Sequence, residues 1–266
     1  DYEIITDEKY VYFPVFKNGD VEMDGEKREV IEEVDVSSFD SVGDVVIVSE
    51  EVSDSDCKKL MKRKDIKVVL RKVGIHHGEF RTQDLEVVCG EDRKETVYKE
   101  NGVLMKLDVE KCYFSPRLGA ERMRIANLVK KGEKVLVLFS GVGPYCTVLA
   151  KHSEASLIVG VEKNPVAHKY ALWNCRKYKQ VELFNSDAKK FEYKGKFDRV
   201  LMPLPKSAED FLDVALKYVK KGGMVHFYDF LHENDIPYVA VSKIEKNVKK
   251  FEIVDVVKCG HYAPRK

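Results

Sequence analysis

The stretch "KVLVLFSGVGPYC", Lys134 to Cys146, decides how this chain is read. Its first half is a continuous apolar run from Val135 to Phe139, without the polar alternation of a strand that keeps one face in water. Such a strand is buried on both faces. Its second half holds Gly141 and Gly143, which let the backbone turn tightly and come close to a ligand. Pro144 follows, a residue suited to the first position of a helix. Strand, glycine turn and helix in that order open a parallel sheet.

The same rhythm continues downstream. "SLIVGVE" (Ser156 to Glu162) reads as a strand, and "NPVAHKYALWNCRKY" as a helix capped by Asn164 with Pro165 at its first position. "VELFN", "FDRVLM" and "GMVHFYDF" are further strands, alternating with helices from Ser207 and Pro237. Upstream, "LGAERMRIANLVKKG" is helical, with apolar Met123, Ile125, Ala126 and Val129 and a stop at Gly132. This alternation predicts an α/β fold: a Rossmann-like, doubly wound sheet over residues 110–266, with its ligand beyond the carboxyl ends of the strands. Residues 1–109 read as a smaller α+β module. Its strands are expected at Tyr10 to Phe16, at Asp44 to Ser49 and from Ile66. A helix is expected from Ser53 to Lys64, and a hairpin turning at Asn101-Gly102.

The 266 residues are 44% hydrophobic, enough for a substantial core. The net charge of +1 hides an asymmetry: residues 1–56 hold 18 acidic and 4 basic side chains, the remainder 27 and 42. A basic body of that kind suits a polyanionic partner. The six cysteines form no CxxC pair, so neither a metal site nor a disulfide framework is expected, and scattered thiols fit a reducing cytoplasm. No apolar run approaches the length of a membrane span.

The glycine turn lacks the third glycine of a dinucleotide site. Cys146 stands at that position, which disfavours a pyrophosphate ligand and a redox role. Three other positions fit a nucleoside. Glu162 ends the second strand of the sheet, where a carboxylate accepts from ribose hydroxyls. Asp187 follows the third strand, where an acid accepts from an adenine amino group. "DRVLMPLP" (Asp198 to Pro205) places a stiff, donor-poor lip after the fourth. Together they point to S-adenosylmethionine as cofactor, and the pattern resembles the class I S-adenosylmethionine-dependent transferases across residues 112–266.

"YFSPRLGAERMRIANLV", "SGVGPY" and "DRVLMPLP", with "HGEFRTQDLEVVCGE" in the leading module, resemble one narrower group. Its members are the archaeal and eukaryotic transferases that modify the purine 3′ of the tRNA anticodon. One branch methylates nitrogen 1 of guanosine. The other, in the wyosine/wybutosine pathway, moves the 3-amino-3-carboxypropyl arm of S-adenosylmethionine onto the tricyclic precursor 4-demethylwyosine in tRNA-Phe. The methyltransferase pattern has an Asn where Pro203 stands here, and an Asp where Val137 stands. Both departures loosen the expected grip on the methionine arm, so arm transfer is the expected reaction, with methyl transfer the alternative. A silent tRNA-binding protein of the same fold is a third reading. Some methyltransferases of this type carry an extra leading domain, which the short leading segment makes unexpected here.

The resemblance implies roles for particular residues. The cofactor is expected at Phe139, Ser140, Gly141 and Gly143 of the turn, at Glu162 and Lys163, at Asp187 and Ala188, and at Pro203, with Arg117 a candidate for a carboxylate or phosphate contact. Glu121 is the candidate general base and Arg81 the candidate stabiliser of charge on the base oxygen. Tyr113 and Phe114 are candidates to stack on a splayed base.

Overall fold

The computed structural model describes residues 39–204 and 206–259, with backbone alone at 5–6, 11–12 and 75–77. Two short strands, β1 (Ile5–Thr6) and β2 (Val11–Tyr12), pair antiparallel. The rest of the strand expected at Tyr10 to Phe16 lies outside the described residues, as does Pro205.

The leading module is a sheet of four strands in sequential order: β3 (Phe39–Val42), β4 (Val45–Val48), β5 (Val68–His77) and β6 (Thr82–Gly90). β4 and β5 are parallel and need a crossover. Helix α1 (Asp54–Leu60) supplies it, with Ser53 at its start accepting the Asp56 N–H. Val46, Val48, Cys57, Leu60, Ile66 and Val69 close the core beneath it.

Next comes a hairpin, β7 (Glu95–Glu100) and β8 (Val103–Asp108). Asn101 at φ +46° and Gly102 at φ +67° make the two-residue left-handed turn that matches strand twist. This hairpin packs on the second half of the chain: Val103 and Met105 share a core with Ile125, Tyr145 and Val148.

The remaining elements are α2 (Gly119–Leu128), β9 (Lys134–Leu138), α3 (Pro144–His152), β10 (Leu157–Glu162), α4 (Pro165–Cys175), β11 (Val181–Asn185), β12 (Phe197–Met202), α5 (Leu212–Tyr218), β13 (Val219–Phe227) and α6 (Tyr238–Glu245). The strands form one parallel sheet in the order β11-β10-β9-β12-β13. One face buries Val135, Val137, Ile158 and Leu201 with α2 and α3; the other buries Leu136, Leu138, Val159 and Val200 with α5. Every residue from Val135 to Leu138 is fully buried, as an apolar run without alternation requires. Chain order reverses at β9, whose neighbours are β10 and β12. That switch point opens a crevice at the carboxyl ends of the strands. Asn164 caps α4 by accepting the N–H groups of Val166 and Ala167.

Candidate active site

The glycine turn leaves β9 at the switch point. Phe139 holds φ +54°, costly for a side chain with a Cβ, and packs edge-on against Phe211 at 4.9 Å. Gly141 follows at φ +55° and Gly143 at φ +83°. A Cβ on Gly141 would meet only the Tyr113 carbonyl, at 3.8 Å, so the turn faces a gap between β9 and the segment before α2. The Ser140 hydroxyl beside it is buried and without a protein partner. A buried orphan hydroxyl and a glycine turn facing open space fit a bound nucleoside.

Glu162 closes that turn. One carboxylate oxygen accepts the Gly141 N–H at 2.7 Å and the other the Asn164 N–H at 2.7 Å. Burial pushes its carboxyl above the usual carboxylate range, and those backbone N–H groups oppose the shift. Lone pairs remain on both oxygens for ribose hydroxyls. Asp187 accepts the Lys189 N–H at 2.8 Å and pairs with Lys163 at 2.7 Å; Lys163 holds it below the usual range. Lys163 also binds Glu79, at the tip between β5 and β6, so one ammonium joins the two modules at the crevice. Ala188 is buried beside Asp187.

Pro203 lines the crevice at the end of β12. It has no N–H, and the Leu204 N–H is spent on the Met202 carbonyl at 2.7 Å. The lip therefore offers no backbone donor across 203–204. Val137 lies elsewhere: it is fully buried among Val103, Ile125 and Leu201, within the core.

Arg81, at φ +53°, sets its guanidinium over the Tyr113 ring at 4.9 Å. Both line the same crevice as Glu121, Arg124, Pro203 and Tyr228. Phe114 also borders the crevice and packs edge-on to Tyr98 at 5.1 Å. Arg117 binds Asp40 at 2.7 Å across the module junction, a salt bridge.

Glu121 is 5% exposed. Its carboxylate takes both forks of Arg124, at 2.7 and 2.9 Å, and the Tyr228 hydroxyl at 2.7 Å. Tyr145 in turn reaches Tyr228 at 3.0 Å. None of these three partners was singled out from the sequence. Arg124 was open to prediction, three residues beyond Glu121 on one helix; the two tyrosines, 83 residues apart, were not. Among the described residues no group of His, Cys, Asp and Glu has the arrangement of a metal site, and no helix is long and apolar enough to cross a membrane.

Residues 96–257 match the TRM5/TYW2 methyltransferase domain and residues 26–93 the TYW2 N-terminal domain. The chain belongs to the TRM5/TYW2 family. It is a tRNA-modifying transferase of that family, and its cofactor is S-adenosylmethionine. The tRNA (guanine(37)-N(1))-methyltransferase Trm5b of Pyrococcus abyssi is 36% identical over 241 residues, 86% of this chain and 72% of that protein. The tRNA(Phe) (4-demethylwyosine(37)-C(7)) aminocarboxypropyltransferase of Methanocaldococcus jannaschii is 33% identical over 232 residues, 85% of this chain and 93% of that protein. Among solved structures, aTrm5 in complex with tRNALeu superposes with a TM-score of 0.78 at 30% identity, covering 100% of this chain and 89% of that one. M. jannaschii TYW2 in complex with AdoMet gives 0.67 at 27% identity, covering 85% of this chain and 94% of that one.

Proposed function

We propose that this chain transfers a methyl group from S-adenosylmethionine to nitrogen 1 of the purine at position 37 of tRNA, on the 3′ side of the anticodon. The observation that carries this reading is that Glu121, Tyr113 and Arg81 line one crevice, while the Gly141 turn opens toward the Tyr113 backbone. Relatives of both activities match most of this chain, the Trm5b of P. abyssi over 86% and the M. jannaschii aminocarboxypropyltransferase over 85%.

Gly141, Glu162, Asp187 and Ala188 hold the nucleoside, and Gly143 lets the turn close against α4. Bound there, S-adenosylmethionine supplies a sulfonium whose attached carbons are open to in-line displacement. Tyr113 offers its ring to the incoming base, and Arg81 places positive charge where the purine oxygen gains negative charge. As nitrogen 1 forms its new bond to carbon, its proton passes to the Glu121 carboxylate and the sulfonium's bonding pair stays on sulfur.

Arm transfer is the second reading, and the Pro203–Leu204 lip favours it. A wall without backbone donors gives the methionine arm little to hold at that end. Val137 adds nothing to this reading, because a residue sealed in the core does not face the arm.

One experiment separates the two. Undermodified tRNA is incubated with S-adenosylmethionine labelled either in the methyl or in the carboxyl group. Methyl label in the RNA with release of S-adenosylhomocysteine is the expected result. Carboxyl label in the RNA with release of methylthioadenosine overturns it in favour of arm transfer. Binding of tRNA without either label entering leaves a silent RNA-binding protein.

A further inference from the structure

The polar contacts of Glu121 come from two sides. Arg124 grips it from the same helix, three residues along, and its own side chain is about one-third exposed. The second grip comes from across the crevice. Tyr228, directly after β13, bonds to one carboxylate oxygen at 2.7 Å. An ionised carboxylate only accepts, so Tyr228 donates, and its oxygen is left to accept from Tyr145. Tyr145 stands two residues past Gly143, in the first turn of α3, and is 3% exposed. The hydroxyls thus run in one direction: glycine-turn helix, end of β13, acid on α2.

A phenylalanine would fill the space of either ring. What the two phenols add is oriented O–H groups, Tyr145 buried and Tyr228 half-buried, where a hydroxyl without a partner is costly. Burial pushes both phenols above their usual range, so both protons stay in place as donors through the neutral pH range. Arg124 also comes within 3.9 Å of Asp255.

We propose that Tyr228 is a positioning residue for the transfer: its hydroxyl, oriented by Tyr145, fixes the Glu121 carboxylate relative to the cofactor turn. This rests on the reading of Glu121 as the base.

The test is a double-mutant cycle in single turnover, using the full chain, undermodified tRNA and labelled S-adenosylmethionine. Y228F is expected to slow the chemical step by about 10- to 100-fold, the worth of one hydrogen bond to a charged group. Its binding constants for cofactor and tRNA should stay within about twofold of the parent. E121Q should slow the step by about 100-fold or more, and Y228F should add nothing in that background. Y145F, one hydroxyl further out, should give a smaller loss than Y228F. A loss from Y228F of equal size in both backgrounds, or none in either, overturns the positioning role. An unchanged rate in E121Q overturns the base reading instead, and the positioning role with it.

Discussion

Arg122 and Glu100 meet as a buried two-pronged pair, Nε to Oε1 at 2.6 Å and Nη2 to Oε2 at 2.5 Å, with side chains 2% and 5% exposed. The pair joins the end of β7 to the first turn of α2. Around it the Asn101 side chain donates to the Gly119 carbonyl and Arg122 to the Ser115 carbonyl. A Cβ on Gly119 would come within 2.9 Å of Glu100, so glycine is what lets the two elements close. The hairpin thereby fixes the helix turn that carries Glu121.

Removing one partner of such a pair leaves a buried charge alone. Arg122→Met should cost about 3–5 kcal/mol of unfolding free energy in urea titrations. Lys59→Met, which breaks the exposed Lys59–Asp56 pair, should cost under about 1 kcal/mol. Similar losses in the two variants would show that burial of the Arg122 pair does not matter.

The two turn glycines should fail differently when changed to alanine. Gly143 is left-handed, and its added Cβ would press within 3.2 Å of the Cys175 sulfur, so Gly143→Ala should lower stability by about 1–2 kcal/mol or more. Gly141→Ala carries the same backbone strain but meets only the Tyr113 carbonyl, at 3.8 Å. Its larger effect should fall on cofactor affinity, because the methyl enters the nucleoside gap. Calorimetric titration with S-adenosylmethionine beside thermal melting separates the two outcomes. Equal affinity losses in both variants would count against the gap as the ligand site.

Cofactor binding should weaken in acid through Glu162. Burial raises its pKa above 4.5, whereas Lys163 lowers that of Asp187, so Glu162 takes up its proton first as pH falls. A protonated carboxyl no longer accepts from both ribose hydroxyls. The dissociation constant for S-adenosylmethionine should therefore rise as the pH falls, starting above the ordinary carboxylate range. Glu162→Gln should bind weakly with a flat profile. A parent profile that is itself flat would remove Glu162 from the ribose contact.

A second acid-sensitive element lies in the sheet itself, on β12 and β13 beside the end of α2. Arg199 is 4% exposed and donates to Glu133 at 3.0 Å, to the Leu128 carbonyl at 2.9 Å and to His226 Nε2 at 2.6 Å. Burial, reinforced by the charge of Arg199, brings His226 down to about 3 from its ordinary 6.5. Between those values the unfolded chain binds a proton that the folded chain refuses. Stability should fall as pH drops below about 6.5, by at most ~1.4 kcal/mol per pH unit from this group. Urea unfolding at several pH values should show this slope in the parent and a shallower one in His226→Gln.

The sequence by itself determined the parallel-sheet architecture and the glycine turn after its first strand. A run such as Val135 to Leu138 cannot be half in water, so it is a strand covered on both faces. Gly141, Gly143 and Pro144 give the turn after it because few other residues tolerate that backbone. Asn164 and the Asn101-Gly102 turn were legible for the same reason: each is a local conformation set by its own side chain. Only the tertiary structure decided which side chains converge. It joined Lys163 to both Asp187 and Glu79, gave Arg117 to Asp40 and brought Tyr145 and Tyr228 to Glu121. Those partnerships span from about 20 to more than 100 residues of chain. No local periodicity encodes such distances, because they follow from how the crossovers stack helices on the sheet and where the leading module closes over its edge.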